Sequence, residues 1–368
     1  MTRRHSIDAA GVIEGGSASI NVFADVYYGN TRTMQDVPLQ DWSFTGDYDG
    51  KIKTAGSVTI AYQGEFADSV SPAELTDKLA PFGQEVRPYC MVGAGVFAER
   101  IELGVYRIES VPSADDTMML FGERPITVGS LVELELLDRF YALDVPTMKL
   151  EKPTSLTSAW AEIARLSGQV VTRTVDDVTI PRSIVYARNR LEAVQQLAAL
   201  MGGRAMMRSD GTIGVVPDEI GSASVNLYIG EDRGKIIDVG RSMTSEGVAN
   251  AVYGDFETEE GREIHVEARQ VRGPLSVHGP FGERPVEYPN DQKEFIRTRE
   301  AAQTAVENLL AKVLQQGPRE VPVEITPDPR IEVGDIVTLE RQDVTLTGRV
   351  ISYTFAKDAA QSLTVRIP

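Results

Sequence analysis

Over about the first 140 residues, hydrophobic and polar positions alternate. In "SASINVFADVYYGN", Ile20, Val22, Ala24 and Val26 fall on one side and Asn21, Asp25 and Tyr27 on the other, the period of a half-buried strand. Gly29 and Asn30 follow, a pair that tolerates positive φ and suits a hairpin turn. "QDWSFTGDY", "GSVTIAYQG", "RIELGVYRIESV", "TMMLFG" and "SLVELELLD" continue the pattern between short turn sequences, the spacing of sandwiches and barrels. One segment interrupts it. "SPAELTDKLAPFG" offers Ser71 as N-cap, Pro72 at the first helical position, Glu74 to close a capping box and Pro81 as a stop, which predicts a short helix over 71–80.

From Pro146 the period becomes helical. Leu156, Trp160, Ile163 and Leu166 form one stripe that ends at Gly168. Leu191, Val194, Ala198 and Met201 form a second, capped by Asn189, with Glu192 three residues on and Gly202-Gly203 at its end. "RAMMRSDGTIGVVP" predicts a hairpin that turns at Asp210-Gly211. Residues 146–217 therefore read as an α+β module. The rest is mostly β: a hairpin with an acidic tip around "GDFETEEGRE", an irregular Gly/Pro loop, and a closing strand set. In that set Ile351, Tyr353 and Phe355 share a face, as do Leu363, Val365 and Ile367. One long Ala-rich helix over 296–316 breaks this part, with Val306, Leu310 and Val313 on one stripe and Gly317-Pro318 as its terminator. The predicted fold class is α+β, mostly β, in three parts: 1–145, 146–217 and 218–368.

At 368 residues, about two to four folding units are expected. The 54 acids against 37 bases give a net charge of −17, which disfavours a phosphate-binding surface. Cys90 is alone, so neither an internal disulfide nor a thiolate metal cage is expected. The first residues hold Arg3, Arg4 and His5 with no apolar run that would make a signal peptide, and no stretch approaches the roughly 18 apolar residues of a membrane span. The expected site of synthesis is the cytoplasm.

No catalytic constellation emerges. His5, His265 and His278 have no metal-ligand spacing. There is no GxSxG elbow, "VGAGVF" is not a dinucleotide loop, and no GxxxxGK[ST] occurs. Asp47 and Asp49 in "GDYDG", and Asp255, Glu257, Glu259, Glu260 and Glu263 in the acidic tip, are conceivable Ca²⁺ ligands, but neither run completes an EF-hand loop; solvated turns are the simpler expectation. Trp160, on an apolar stripe, is expected in a core. Catalytic, cofactor and metal residues are thus expected to be none, no cofactor is expected, and the subunit-interface residues are not readable.

Several segments taken in order resemble a known family. "DVPLQDWSFTGDYDGKIKTAGSVTIAY", "LAPFGQEVRPY" with "ERIELGVYRIESV", "IPRSIVYARNRLEAVQQLAALMGGRAMMRSDGTIGVVP", "GVANAVYGDF", "HGPFGERPVEY" and "PRIEVGDIVTL" resemble minor tail proteins of actinobacterial phages. That family is similar to the baseplate hub proteins of long-tailed phages. The resemblance implies two tail-tube-like β-barrel domains, in 1–145 and 218–368, each with a flanking helix. It implies three copies in a pseudo-sixfold ring that joins the tail tube to the tail tip and lets DNA pass. It also implies a non-enzymatic virion protein of the tail tip. Expected partners are a homotrimer, the distal tail protein ring, the tape measure protein and other tail-tip or fibre proteins, with no specific nucleic-acid binding. A chain that stops at Pro368 would be a bare hub without a fibre or lytic extension. The open alternatives are a hexameric distal tail connector, a tail-tip cell-wall hydrolase and a receptor binder.

Overall fold

Ser6 opens the first ordered element: its hydroxyl accepts from the Ala9 amide at 3.1 Å and caps helix α1 (Ile7–Glu14), which buries Ala9 and Ile13. The computed structural model describes residues 2–16, 18–63, 69–147, 151–182, 184–186, 188–230, 234–240, 248–258, 262–289, 293, 296–315, 319–340 and 345–367. Seven strands follow α1: β1 (Ser19–Tyr28), β2 (Thr31–Asp47), β3 (Thr54–Tyr62), β4 (Gln84–Ala94), β5 (Phe97–Glu102), β6 (Tyr106–Phe121) and β7 (Arg124–Asp138). Val22, Ala24 and Val26 point into the core as the alternation predicts. Tyr28 faces Thr31 across the two-residue turn, where Gly29 takes φ 58°.

The predicted helix over 71–80 is absent; the segment is a run of turns. Its capping signals are spent elsewhere. The Ser71 hydroxyl donates to Asp116 at 2.6 Å, and the Asp77 carboxylate takes the Ala73 and Glu74 amides at 2.7 Å each. Gln84 then donates to the Leu75 and Asp77 carbonyls, which a helix would need for its own amides.

The middle segment follows its periodicity. Helix α2 (Ala159–Ser167) ends at Gly168 with φ 65°, and helix α3 (Arg190–Leu200) is capped by Asn189, whose side chain accepts from the Leu191 and Glu192 amides. Strands β8 (Gly203–Met207) and β9 (Ile213–Pro217) pair across the Asp210-Gly211 turn. Trp160, Ile163, Leu191, Val194 and Val215 share one apolar cluster here.

The remaining strands are β10 (Val225–Tyr228), β11 (Ile236–Val239), β12 (Ala251–Glu257), β13 (Glu263–Arg269), β14 (Pro285–Glu287), β15 (Arg319–Ile325), β16 (Ile336–Glu340), β17 (Thr345–Ala356) and β18 (Gln361–Ile367). Helix α4 (Arg299–Gln315) starts later than the expected 296 because the Thr298 hydroxyl accepts the Ala301 amide. It packs Ala302, Val306 and Leu310 on β12 and β13, while Val313 is half-buried. The expected terminator Gly317-Pro318, and Glu259 and Glu260 of the acidic tip, lie outside the described residues.

The early and late strands form one sheet, ordered β1-β4-β6-β7-β3-β2-β17-β18-β15-β11, with β5, β10 and β16 attached beside it. β1 pairs β2 as well as β4, so the pairings among the first strands return to their start. The seam between the early and late strands is β2 on β17, where Phe44 faces Phe355 and Gly46 faces Tyr353. A Cβ at Gly46 would meet the Tyr353 ring, so glycine lets the two strands seat at this point. Trp42, Phe44, Tyr353 and Phe355 belong to a single apolar cluster that spans the seam.

Candidate functional site

The side of the large sheet turned away from this cluster has an unusual composition. Antiparallel partners point the same way, so the registers define its rows. One row runs Leu137, Ala55, Thr45, Thr354, Ser362, Glu324, across β7, β3, β2, β17, β18 and β15. Its neighbours run Glu135, Ser57, Ser43, Ala356, and Asp47, Ser352, Thr364, Pro322. Serines, threonines and alanines dominate the centre. Asp41, Asp47, Glu133, Glu135, Glu320 and Glu324 supply the negative charge, and the bases in register with them are Arg366, the buried Arg349 opposite it, and Arg107 on β6 opposite Leu137. Arg366 is already neutralised, donating to Asp49 at 2.8 Å and to Glu320 at 2.9 Å. The face spans six strands, roughly 24 Å at about 4.8 Å per strand. It offers hydroxyls and carboxylates, and it would repel a polyanion.

Two polar knots tie the early part of the chain to the late strands. The first is the "GDYDG" turn. Asp47 accepts the Asp49 and Gly50 amides, and Asp49 is ion-paired with Arg204 and Arg366. Arg204 and Arg349 stack on the Tyr48 ring at 4.8 and 5.1 Å, and Arg349 donates to the Tyr48 hydroxyl at 2.7 Å. Lys53 donates to the Tyr48 and Gly50 carbonyls, and burial lowers its pKa to about 8. Of the carboxylates considered for Ca²⁺, Asp47 and Asp49 are therefore part of the joint between the early strands, the helical segment and the late strands. Close by, buried Asp138 accepts the Lys53, Thr54 and Phe140 amides, and burial raises its pKa to about 6.

The second knot ties the N-terminal arm to the late strands. Arg3 is buried and donates to the Pro329 carbonyl at 2.8 Å, the Ile331 carbonyl at 3.0 Å and the Tyr353 hydroxyl at 3.0 Å. Its Nε lies 3.6 Å from Glu332, a carboxyl whose pKa burial raises to about 7. Arg330, also buried, bridges Asp328 at 2.7 Å and Glu14 at 2.9 Å. The reach of Arg3 across more than 300 positions to Tyr353 carries no local sequence signal.

His5 sits beside the second knot, and His265 stands apart from both. His265 is exposed and paired with Asp255 at 2.6 Å, and His5 contacts the Arg3 carbonyl. Trp160 and Trp42 are in cores. Cys90 is fully buried, and burial pushes its thiol up to about 12. Among the described residues no group of three His, Cys, Asp or Glu is placed to hold a metal, and no helix is long and apolar enough to cross a membrane.

The architecture is that of phage and prophage tail proteins. A tail protein from Neisseria meningitidis superposes with a TM-score of 0.61 at 11% identity, covering 94% of this chain and 96% of that one. The 43 kDa tail protein of prophage MuSo2 from Shewanella oneidensis gives 0.57 at 11% identity, over 94% and 100%. The prophage tail protein gp18 of Listeria monocytogenes gives 0.50 at 11% identity, over 94% of each chain. No protein-family model matches the chain, and no curated protein matches it.

Proposed function

We propose that the chain is a structural hub of a long-tailed phage, placed in the virion at the tail tip. In this reading residues 1–145 and 218–368 act as two tail-tube-like barrel units with 146–217 between them, and three copies make a pseudo-sixfold ring. The ring closes the tube and passes DNA during ejection, and other tail-tip proteins bring enzymatic and receptor-binding parts. The observation that carries the proposal is the unbroken row from Leu137 to Glu324, which joins the early and late strands into one solvated face whose centre is serine, threonine and alanine. Eight strands from β6 to β11 lie in one hydrogen-bonded run. Three copies would then supply a wall about 115 Å around and about 37 Å across between backbones, before strand tilt widens it. A wall of hydroxyls and carboxylates gives the DNA backbone nothing to adhere to.

Mass photometry of the purified chain, alone and with its neighbouring tail proteins, tests the copy number. A closed species near 120 kDa, three times the 40.2 kDa chain, is expected. Six copies would favour a distal connector, and clearing of cell walls by the isolated chain would favour a hydrolase; either overturns the hub reading.

A further inference from the structure

The β6–β7 hairpin outruns the sheet. β3 last pairs β7 at Tyr62 opposite Ser130, whereas β6 and β7 remain paired to Phe121 opposite Arg124. Roughly 20 Å of two-stranded ribbon, at about 3.4 Å per residue, therefore extends past the last β3 pairing. Exposed apolar side chains stand on both of its faces, alongside Thr127 and the exposed Arg124: Met118, Met119 and Leu120 are 65%, 50% and 70% exposed. At the turn stands Glu123, exposed and without an ion pair among the described residues.

A groove of about 840 Å³ lies between the end of α1, β1, β2, β11 and the β17–β18 turn, walled by Ile13, Ile20, Leu39, Trp42 and Ile237. Lys235 lines it. Its side chain is nearly buried, 5% exposed, and its ammonium has no hydrogen bond or ion pair among the described residues. The acids that act on it, Asp328 and Glu14, are both held by Arg330. A buried cation whose nearest described acids are already paired elsewhere is unfavourable, and burial lowers its pKa. The groove therefore fits an occupant with a carboxylate beside apolar side chains. The register Ala356, Ser43, Ser57, Glu135 places the β17–β18 turn at the end of the sheet toward which the hairpin runs.

We propose that the β6–β7 tip of one copy seats in the Lys235 groove of the next. Glu123 meets the Lys235 ammonium, and Met118 and Leu120, which share one face of the ribbon, cover the wall of Trp42 and Ile237. The contact joins two different patches of one chain, the head-to-tail kind that closes into a ring, and it rests on the ring reading above. Strands in a closed wall tilt by about 35–45°, which carries an overrunning ribbon sideways over its neighbour. The bulge between Thr117 and Met118 bends the ribbon at the start of the apolar tip.

The full-length chain tests this by its association constant. Glu123→Gln and Glu123→Lys should each weaken association about tenfold or more, and the double reversal Glu123→Lys with Lys235→Glu should recover most of the loss. Should the reversal at the buried Lys235 unfold the chain, Lys235→Met keeps an apolar stem. On that background Glu123→Gln should change association by less than about twofold. Equal effects of Glu123→Gln on both backgrounds, or none in the wild type, would overturn the docking while an associating wild type keeps the ring reading. A wild type that stays monomeric even with its neighbouring tail proteins would remove both. An effect of Glu123→Gln confined to binding a different tail protein would show that the occupant is not a second copy.

Discussion

Removing the Arg3 guanidinium should loosen the late strands from the rest of the molecule. In Arg3→Ala the Pro329 and Ile331 carbonyls and the Tyr353 hydroxyl lose their donor together, and Glu332 loses its nearest cation. Each buried polar group left unpaired costs about 1–3 kcal/mol, and breaking a buried charged contact about 3–5 kcal/mol. Water entering the space left behind offsets part of this, so the expected loss is about 3–5 kcal/mol. The defect should depend on pH. Arg3 draws the Glu332 pKa down against burial, which holds it at about 7. Below that pH Glu332 is neutral in both proteins, so the loss is smaller at pH 5 than at pH 8. Urea unfolding followed by tryptophan fluorescence measures it. The chain has two tryptophans, Trp42 beside the seam and Trp160 in α2, so a Trp160→Phe background reports the seam alone. A loss under about 1 kcal/mol, or one that does not change between pH 5 and pH 8, would refute the role given to Arg3.

Gly46→Ala places a methyl group against the Tyr353 ring and should cost about 1–3 kcal/mol by overpacking, read as a lower urea midpoint. Asp138 holds its proton to about pH 6 when folded, against 3.8 for an ordinary Asp. Its contribution is thus fully present below about pH 4 and lost as pH rises through 6, about 3 kcal/mol in all; the pH slope of stability should flatten over that window in Asp138→Asn. Asn189→Ala removes the cap of α3 and should cost about 1 kcal/mol, seen in the Trp160 signal. Thr354→Lys, at the centre of the solvated face, should leave the unfolding midpoint nearly unchanged while reducing DNA delivery by particles that carry it.

The parts legible in the sequence are those whose partners are close along the chain. The alternation at Val22, Ala24 and Val26, the stripe ending at Gly168, the Asn189 cap and the Asp210-Gly211 turn depend on neighbours a few residues away. The failed helix over 71–80 had every local signal, but Asp116 and Gln84 bind its capping groups from outside the segment. The rows of the solvated face needed registers between strands as distant as Thr45 and Thr354, which periodicity does not specify. Gly46 was a usable clue: a glycine inside "DWSFTGDY" marks a close approach, though not by which residue. Lys235 and Arg3 carry no local signal of their burial, because burial of a long cation depends on the tertiary neighbours around it.

The central claim is tested most directly by a cryo-EM reconstruction of the assembled tail tip at a resolution that shows side chains. The account predicts three copies around the axis, with Thr45, Thr354 and Ser362 facing the channel. A ring in which that face points outward, or in which the channel is lined by a basic surface, would contradict it.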